Sequence, residues 1–389
     1  MTLSRRVALS SALAAVPSYI LLPATAAHQV GNVVAKETGR GSMSSLQEQI
    51  IEASSSSSSP SLHIAAIGDW GAPMDSHRQR RGQEAVAEGV ASWLGNVKRN
   101  NKYEKTGEEA ATVGSDDDDD DMSSNDPFLL SLGDNFYPSG VKDATDMAKR
   151  FETSFNNVYS HHVFENVPWY IVAGNKDYED NADIVAQIEF TNSSSRWKFP
   201  DYFHGVVREI RGDDDDVAMK VEILMIDTMQ LSNAIHYPMR DDLHHWSATA
   251  GSTREGFEWI EHNLRESDAD YLLVAGHFPA HSVRGLEDLF RKYGVSAYVS
   301  GHIHCQKHKR KHGVDYFTSG AGMELDCSKD SIDNKHGTGG FLSFHARTNT
   351  MAVRLHDQSG NTLHRVDIRP RSIDLKKVGV GLGQSIEIE

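Results

Sequence analysis

The run Ala297-Tyr298-Val299-Ser300 passes straight into Gly301-His302-Ile303-His304. Four mainly apolar residues closed by a glycine have the length and boundary of a short buried strand. The glycine lets the backbone turn sharply with no side chain in the way. Alternate histidines just beyond it can approach a metal ion from the turn. The same pattern occurs four more times upstream. Leu62 to Ile67 leads into Gly68-Asp69, Phe128 to Leu132 into Gly133-Asp134, Trp169 to Ala173 into Gly174-Asn175, and Tyr271 to Ala275 into Gly276-His277. Helical patterns lie between several of these runs. Gln83 to Val97 carries Val86, Val90, Trp93 and Leu94 at helical spacing. Shorter helices are predicted over Gly256–Leu264 and Leu286–Tyr293. Strands alternating with helices predict an α/β layered fold. The segment Gly340 to Ile368 alternates more and contains the turn sequence Gln358-Ser359-Gly360-Asn361, so it reads as antiparallel strands. The expectation is two mixed sheets packed face to face with helices outside. Ligands collect at the carboxyl ends of strands in such sheets, so five loops are expected to converge on one site.

The bulk of the chain agrees with this. Its 389 residues are 39% hydrophobic and 24% charged, ordinary globular usage that supplies one large core. The formal net charge of −16 argues against a nucleic-acid partner, which needs a basic face. An anionic small substrate remains compatible, because a metal site supplies local positive charge that the total hides.

The N-terminus has the layout of a signal peptide over residues 1–27: Arg5 and Arg6, a mostly apolar stretch from Val7 to Leu22, then Ala24-Thr25-Ala26-Ala27. An uncleaved anchor is the alternative, and Ser4-Arg5-Arg6 also hints at twin-arginine export. Residues 28–61 include Ser54 to Ser59 and read as a Ser-rich disordered linker. The folded domain is expected over 62–370, followed by a tail over 371–389. Acidic insertions interrupt it near 101–126, with Asp116 to Asp121, and at 212–216, with Asp213 to Asp216. Unbroken aspartates repel one another and lack the spaced ligands of a calcium loop, so they read as solvated loops. Cys305 and Cys327 are the only cysteines. They form one bridge in an oxidising compartment or stay as two unpaired thiols. Asn192-Ser193-Ser194 is a glycosylation sequon. No other long apolar run occurs, so no stable membrane insertion is expected after signal cleavage. The expected location is secreted or the lumen of a secretory compartment, with a plastid or other organelle lumen as alternatives.

Each short motif is weak by itself; the ordered set is not. It reads Gly68-Asp69-Trp70-Gly71, Gly133-Asp134-Asn135-Phe136-Tyr137, Gly174-Asn175-Lys176-Asp177, Gly276-His277-Phe278-Pro279 and Gly301-His302-Ile303-His304. In this the sequence resembles the purple acid phosphatases of the calcineurin-like metallophosphoesterase superfamily, and most of all their small, tartrate-resistant type. The resemblance extends from Leu62 to Ile368 and includes Ser195-Arg196-Trp197-Lys198-Phe199-Pro200 and Phe317-Thr318-Ser319-Gly320-Ala321-Gly322. It implies a four-layer α/β/β/α metallophosphoesterase sandwich. It implies that Asp69, Tyr137 and His304 hold a first metal, that Asn175, His277 and His302 hold a second, and that Asp134 bridges both. The implied cofactor is Fe(III) with Fe(II), Zn(II) or Mn(II). Carboxylate and phenolate suit the trivalent ion, and imidazoles with an amide oxygen suit the divalent one. Tyr137 would give the iron charge-transfer colour that marks this branch. The other histidines, such as His161, His162, His244 and His245, read as polar surface. The implied reaction is acid phosphatase hydrolysis of phosphate monoesters by in-line attack of a metal-bound hydroxide. The implied substrate is a phosphorylated small molecule or a phosphoprotein.

Two departures from the family pattern bear on activity. The family reads Gly-Asn-His-Asp or Gly-Asn-His-Glu at the third motif, where this chain has Lys176. Lysine keeps a positive charge and binds phosphate as a point charge, but it donates a proton less readily than histidine at acid pH. The substitution weakens catalysis, moves its pH optimum upward, or is tolerated with Lys176 in solvent. The family's further histidine downstream of Gly276-His277 is also absent. Val283-Arg284-Gly285-Leu286 stands there, leaving His281 as the substitute or Arg284 as a phosphate contact. The catalytic candidates are therefore Lys176 and His281. A catalytically weak metal-binding pseudophosphatase, acting as a scaffold or phospho-ligand binder, is the alternative. So is a phosphodiesterase or nucleotidase that differs in loops such as Asn181 to Phe203 and His236 to Trp246.

Overall fold

A computed structural model describes residues 60–106, 125–211, 217–232, 250–323 and 339–372. The chain divides into two units, Met1–Ser56 and Ser57–Glu389. The first unit lies wholly outside the described residues, and the signal segment lies within it. The linker up to residue 59, both aspartate runs and the tail from residue 373 also lie outside them.

Thirteen strands form two sheets among the described residues. In chain order they are β1 (Ser61–Ile67), β2 (Phe128–Leu132), β3 (Trp169–Val172), β4 (Trp197–Lys198), β5 (His204–Arg211), β6 (Val217–Met225), β7 (Tyr271–Ala275), β8 (Ala297–Ser300), β9 (Gln306–Lys311), β10 (Val314–Ser319), β11 (Gly340–Arg347), β12 (Met351–Asp357) and β13 (Thr362–Ile368). The first sheet has the order β13-β12-β11-β1-β2-β3-β4, and the second β5-β6-β7-β8-β10-β9. Both are mixed. β1, β2, β3 and β4 run parallel, and β11 joins β1 antiparallel. β6, β7, β8 and β10 run parallel, with β5 and β9 antiparallel at the edges. The expected antiparallel segment is β11 to β13.

Side-chain alternation builds the layers. On β1, Leu62, Ile64 and Ala66 share one apolar cluster with Leu130, Ile223, Leu273 and Val299 of both sheets, which is the layer between them. The intervening Ala65 and Ile67 belong to a second cluster with Leu129, Val274 and the helix residues Val86, Val90, Leu94 and Ile260. Strands buried on both faces show no polar alternation, which is why they appear in the sequence as near-continuous apolar runs, broken only by single residues such as His63 and Ser131. Burying each valine, leucine or isoleucine among them contributes roughly 1.5–3 kcal/mol.

The helices are α1 (His77–Thr106), α2 (Ala144–Arg150), α3 (Ile184–Glu189), α4 (Thr228–Leu231), α5 (Ala250–Glu266) and α6 (Leu286–Lys292). α1 and α5 are longer than the apolar pattern predicts. The buried apolar residues of α1 run from Val86 to Val97 and those of α5 are Ile260 and Leu264, and beyond them the sequence carries no apolar stripe to mark where the helix starts or stops. α1 thus runs into the segment expected to be an acidic insertion. Arg371, expected to open the tail, is buried instead, and its guanidinium donates to the carbonyls of Ser267, Ala269 and Tyr293. Cys305 is disulfide-bonded; Cys327, the other cysteine in the chain, lies outside the described residues.

Candidate metal centre

The five glycine-bounded loops leave the carboxyl ends of β1, β2, β3, β7 and β8. The first three strands are neighbours in one sheet and the last two are neighbours in the other. Their loops therefore meet at one end of the sandwich. Asp69, Asp134 and His302 each adopt a left-handed backbone, with φ of 56°, 52° and 65°. Such conformations cost about 1–3 kcal/mol when held by a non-glycine residue, and they cluster at functional sites. The turn redirects each side chain from the strand axis toward the space between the loops.

Two groups of donor atoms result. In the first, the Tyr137 hydroxyl lies 2.8 Å from Asp134 Oδ2, 3.3 Å from Asp69 Oδ1 and 3.2 Å from His304 Nε2. His304 Nε2 is 3.5 Å from Asp69 Oδ1. In the second, Asn175 Oδ1 lies 3.0 Å from both His277 Nε2 and His302 Nδ1. Asp134 stands between the groups: its Oδ2 faces Tyr137, while its Oδ1 is 3.3 Å from His277 Nε2. All seven metal-ligand candidates are thus brought together, three on each side of one carboxylate.

The electrostatics fit a cation at both positions. Asp69, Asp134 and His277 are buried, and they offer ligand atoms that all lie within 4.8 Å of one another. Among the described residues, neither carboxylate forms an ion pair with a lysine or arginine. Burial, and then the Asp69 charge, push the Asp134 carboxyl upward against the counter-pull of His277. Burial and the same two carboxylates push the Tyr137 phenol far above its ordinary value. Burial would depress His277, but Asp134 and Asp69 outweigh it and raise it. A carboxylate, a phenol and one imidazole on one side, and two imidazoles with an amide oxygen on the other, form a set that two metal ions complete.

Neighbouring bonds hold the ligands in place. His277 Nδ1 bonds to the Leu132 carbonyl at 2.8 Å, leaving Nε2 for the site. The His302 amide donates to Asp69 Oδ2 at 3.0 Å, and the Lys176 amide to Asp134 Oδ1 at 2.8 Å. Asp177 is fully buried and accepts from the amides of Gly174 and Asn135 and from Gln187 Nε2, tying the β2 and β3 loops together. Burial first, then the nearby Asp134 charge, raise its carboxyl to about 7. Asp227, next to the end of β6, caps α4 and takes the hydroxyl of Tyr178 from the β3 loop.

Lys176 and His281 lie differently. The Lys176 ammonium is not free toward the site: it pairs with Glu179 at 2.7 Å. His281 lies on a short 3-10 turn, exposed, as is Arg284. His161 and His162 are exposed, as expected, while His244 and His245 lie outside the described residues. Glu179 carries no motif of its own in the sequence. Its only trace is the four-residue spacing from Asn175, which carries meaning only once the local turn is known. Asp177 is visible inside the third motif, but its bonds to two loops are not.

The sequence model of the calcineurin-like phosphoesterase family matches residues 62–306. The chain is 32% identical over 355 residues to "Tartrate-resistant acid phosphatase type 5" of Homo sapiens, spanning 84% of this chain and 97% of that protein. It is 31% identical over 347 residues to the Mus musculus protein of the same name, spanning 80% and 92%. It is 29% identical over 265 residues to "Purple acid phosphatase 4" of Arabidopsis thaliana, spanning 62% and 73%. Among solved structures, "GAP50 the anchor in the inner membrane complex of Plasmodium" superposes with a TM-score of 0.60 at 17% identity, over 80% of this chain and 90% of that one. That likeness speaks for the fold alone.

Proposed function

Because the chain belongs to the calcineurin-like phosphoesterase family, in its purple acid phosphatase type, we propose that it hydrolyses phosphate monoesters at a dinuclear metal centre. The observation that carries this reading is Asp134, whose two carboxylate oxygens face two separate donor groups. Asp69, Tyr137 and His304 would hold one metal, proposed to be Fe(III). Asn175, His277 and His302 would hold the other, proposed to be Fe(II), Zn(II) or Mn(II). A metal pair supplies Lewis-acid charge for the phosphoryl oxygens and makes hydroxide accessible at mildly acidic pH.

The chain's own residues then do the positioning. The buried Leu132 carbonyl keeps the His277 ring in one orientation. Phe278, whose ring lies 4.6 Å from that of His302, packs against that ligand. Lys176 is assigned as a cationic contact for the phosphate, in competition with Glu179, and His281 as the proton donor to the leaving oxygen. The substrate is proposed to be a phosphorylated small molecule or a phosphoprotein. The protein is proposed to act outside the cell or in a secretory lumen; among the described residues no helix is long and apolar enough to cross a membrane.

Hydrolysis of p-nitrophenyl phosphate from pH 4 to 9, with metals counted on the same sample, tests the proposal. Turnover that disappears on chelation and returns with iron or zinc is expected. The Lys176–Glu179 pair favours one competing reading, because it neutralises the cation that stands where the family has histidine. On that reading the protein binds metals and a phosphorylated ligand without turnover. Two bound metals with no hydrolysis of monoester or diester substrates would select it. Turnover only of bis-p-nitrophenyl phosphate would select a phosphodiesterase.

A further inference from the structure

Asn175 is the second-position ligand whose chemistry depends on which way its side chain is turned. Its amide oxygen can ligate a metal, while its NH2 is a donor and cannot. Half a revolution exchanges two groups of nearly equal size, so packing alone selects poorly between them. His277 has no such freedom, because the Leu132 carbonyl holds its Nδ1. Asn175 is held from the other end. Its Nδ2 donates to Glu179 Oε1 at 3.0 Å, while its Oδ1 faces His277 Nε2 and His302 Nδ1. An ionised carboxylate only accepts, so it binds the NH2 and repels the oxygen.

The backbone is shaped to bring Glu179 there. The 3-10 segment Asn175–Asn181 leaves helical geometry at Glu179, with φ −73° and ψ 152°. It continues through the left-handed residues Asp180 and Asn181, at φ 53° and 60°. The same carboxylate accepts from Lys176 Nζ at 2.9 Å and 2.7 Å on its two oxygens. The lysine thus steadies the carboxylate from which Asn175 takes its orientation. The geometry points to Glu179 as a positioning residue that fixes the Asn175 amide with its oxygen toward the second metal position. This rests on the two-metal reading and adds the residue that makes Asn175 a ligand.

The test uses the full chain loaded with zinc as the probe, compared with Glu179→Ala and Glu179→Gln. Bound metal is counted against increasing chelator. In Glu179→Ala, one of the two metals is expected to dissociate with affinity lowered about 10–100-fold, the usual loss for a residue directly behind a ligand. Glu179→Gln keeps an oxygen that accepts from Asn175, so it is expected to hold both metals nearly as the unmodified protein does. Unchanged melting temperatures would show that the fold is intact; Glu179 is partly exposed, with 26% of its side chain accessible. Glu179→Ala holding both metals at full affinity overturns the inference, as does Glu179→Gln losing the metal equally. If the unmodified protein holds fewer than two metals, the two-metal reading fails and this inference fails with it, an outcome separate from the other two.

Discussion

Asp134 presents one oxygen to Tyr137 at 2.8 Å and the other to His277 at 3.3 Å, so its charge is shared between two positions. Asp134→Asn keeps the size and removes that charge. Metal counting is expected to show both ions weakened together, by more than the roughly 100-fold ceiling typical of residues behind a ligand. Loss of only one ion would mean that the carboxylate does not bridge. Tyr137→Phe removes a phenol oxygen that faces Asp69, Asp134 and His304. It is expected to abolish any visible charge-transfer band, and a band that persists would assign the colour to another residue. At position 176, a histidine would restore a proton donor suited to acid pH. Lys176→His is expected to raise turnover of an aryl phosphate near pH 5 by about 100-fold, the low end for general acid catalysis. A rate unchanged or lowered at every pH would show that no proton donor is missing at this position.

The loops are held by their glycines as much as by their ligands. Gly133 has φ of 89°, and a Cβ there would come 2.6 Å from His277 Nδ1, the atom that bonds to Leu132. Gly133→Ala is therefore expected to cost about 1–3 kcal/mol and to lower affinity for the second metal. A melting temperature and metal affinity like those of the unmodified protein would show that the loop relaxes freely. At this scale the sequence is most readable. A strand buried on both faces must be an apolar run, and a ligand at its end must follow a turn, so the five strand–glycine–ligand units are legible from residue order alone. Helix ends are not, because the polar turns of α1 and α5 carry no periodic mark. Nor is the bond from Glu179 to Asn175, which depends on the turn at residues 179–181. Arg371 is unreadable for a related reason: its guanidinium is held by carbonyl oxygens from residues 78 to 104 positions away, which no local pattern encodes.

Across the whole molecule, buried imidazoles couple stability to pH. His63 and His345 stack at 4.0 Å between β1 and β11. Burial, with Arg347 and Arg354 nearby, depresses His63 to about 3; burial and then His63 depress His345 to about 2. Burial likewise takes His204 and His356 to about 4. Each folded value lies below that of free imidazole, so the unfolded chain binds more protons on acidification. Their contribution is complete above about pH 6.5 and is lost as pH falls toward 4 and below. Asp177 and Asp227, raised mainly by burial to about 7 and 6, act in the opposite direction as pH rises from about 4 to 7. His364 is also lowered and Glu222 also raised, both mainly by burial, so outside the metal ligands five histidines against three carboxyls predict a lower melting temperature at pH 4 than at pH 7. His345→Phe keeps the stack without a titrating ring, so its drop between these pH values should be smaller. An equal drop would clear this pair of any part in acid lability.

Whether two metals act here as one centre is decided most directly by titrating metal back into the chelated protein. Turnover of p-nitrophenyl phosphate is followed as metal is added in steps. The rate should remain low through the first equivalent, rise steeply through the second and then level off. Full activity at one equivalent, or none at any loading, would contradict a two-metal phosphatase.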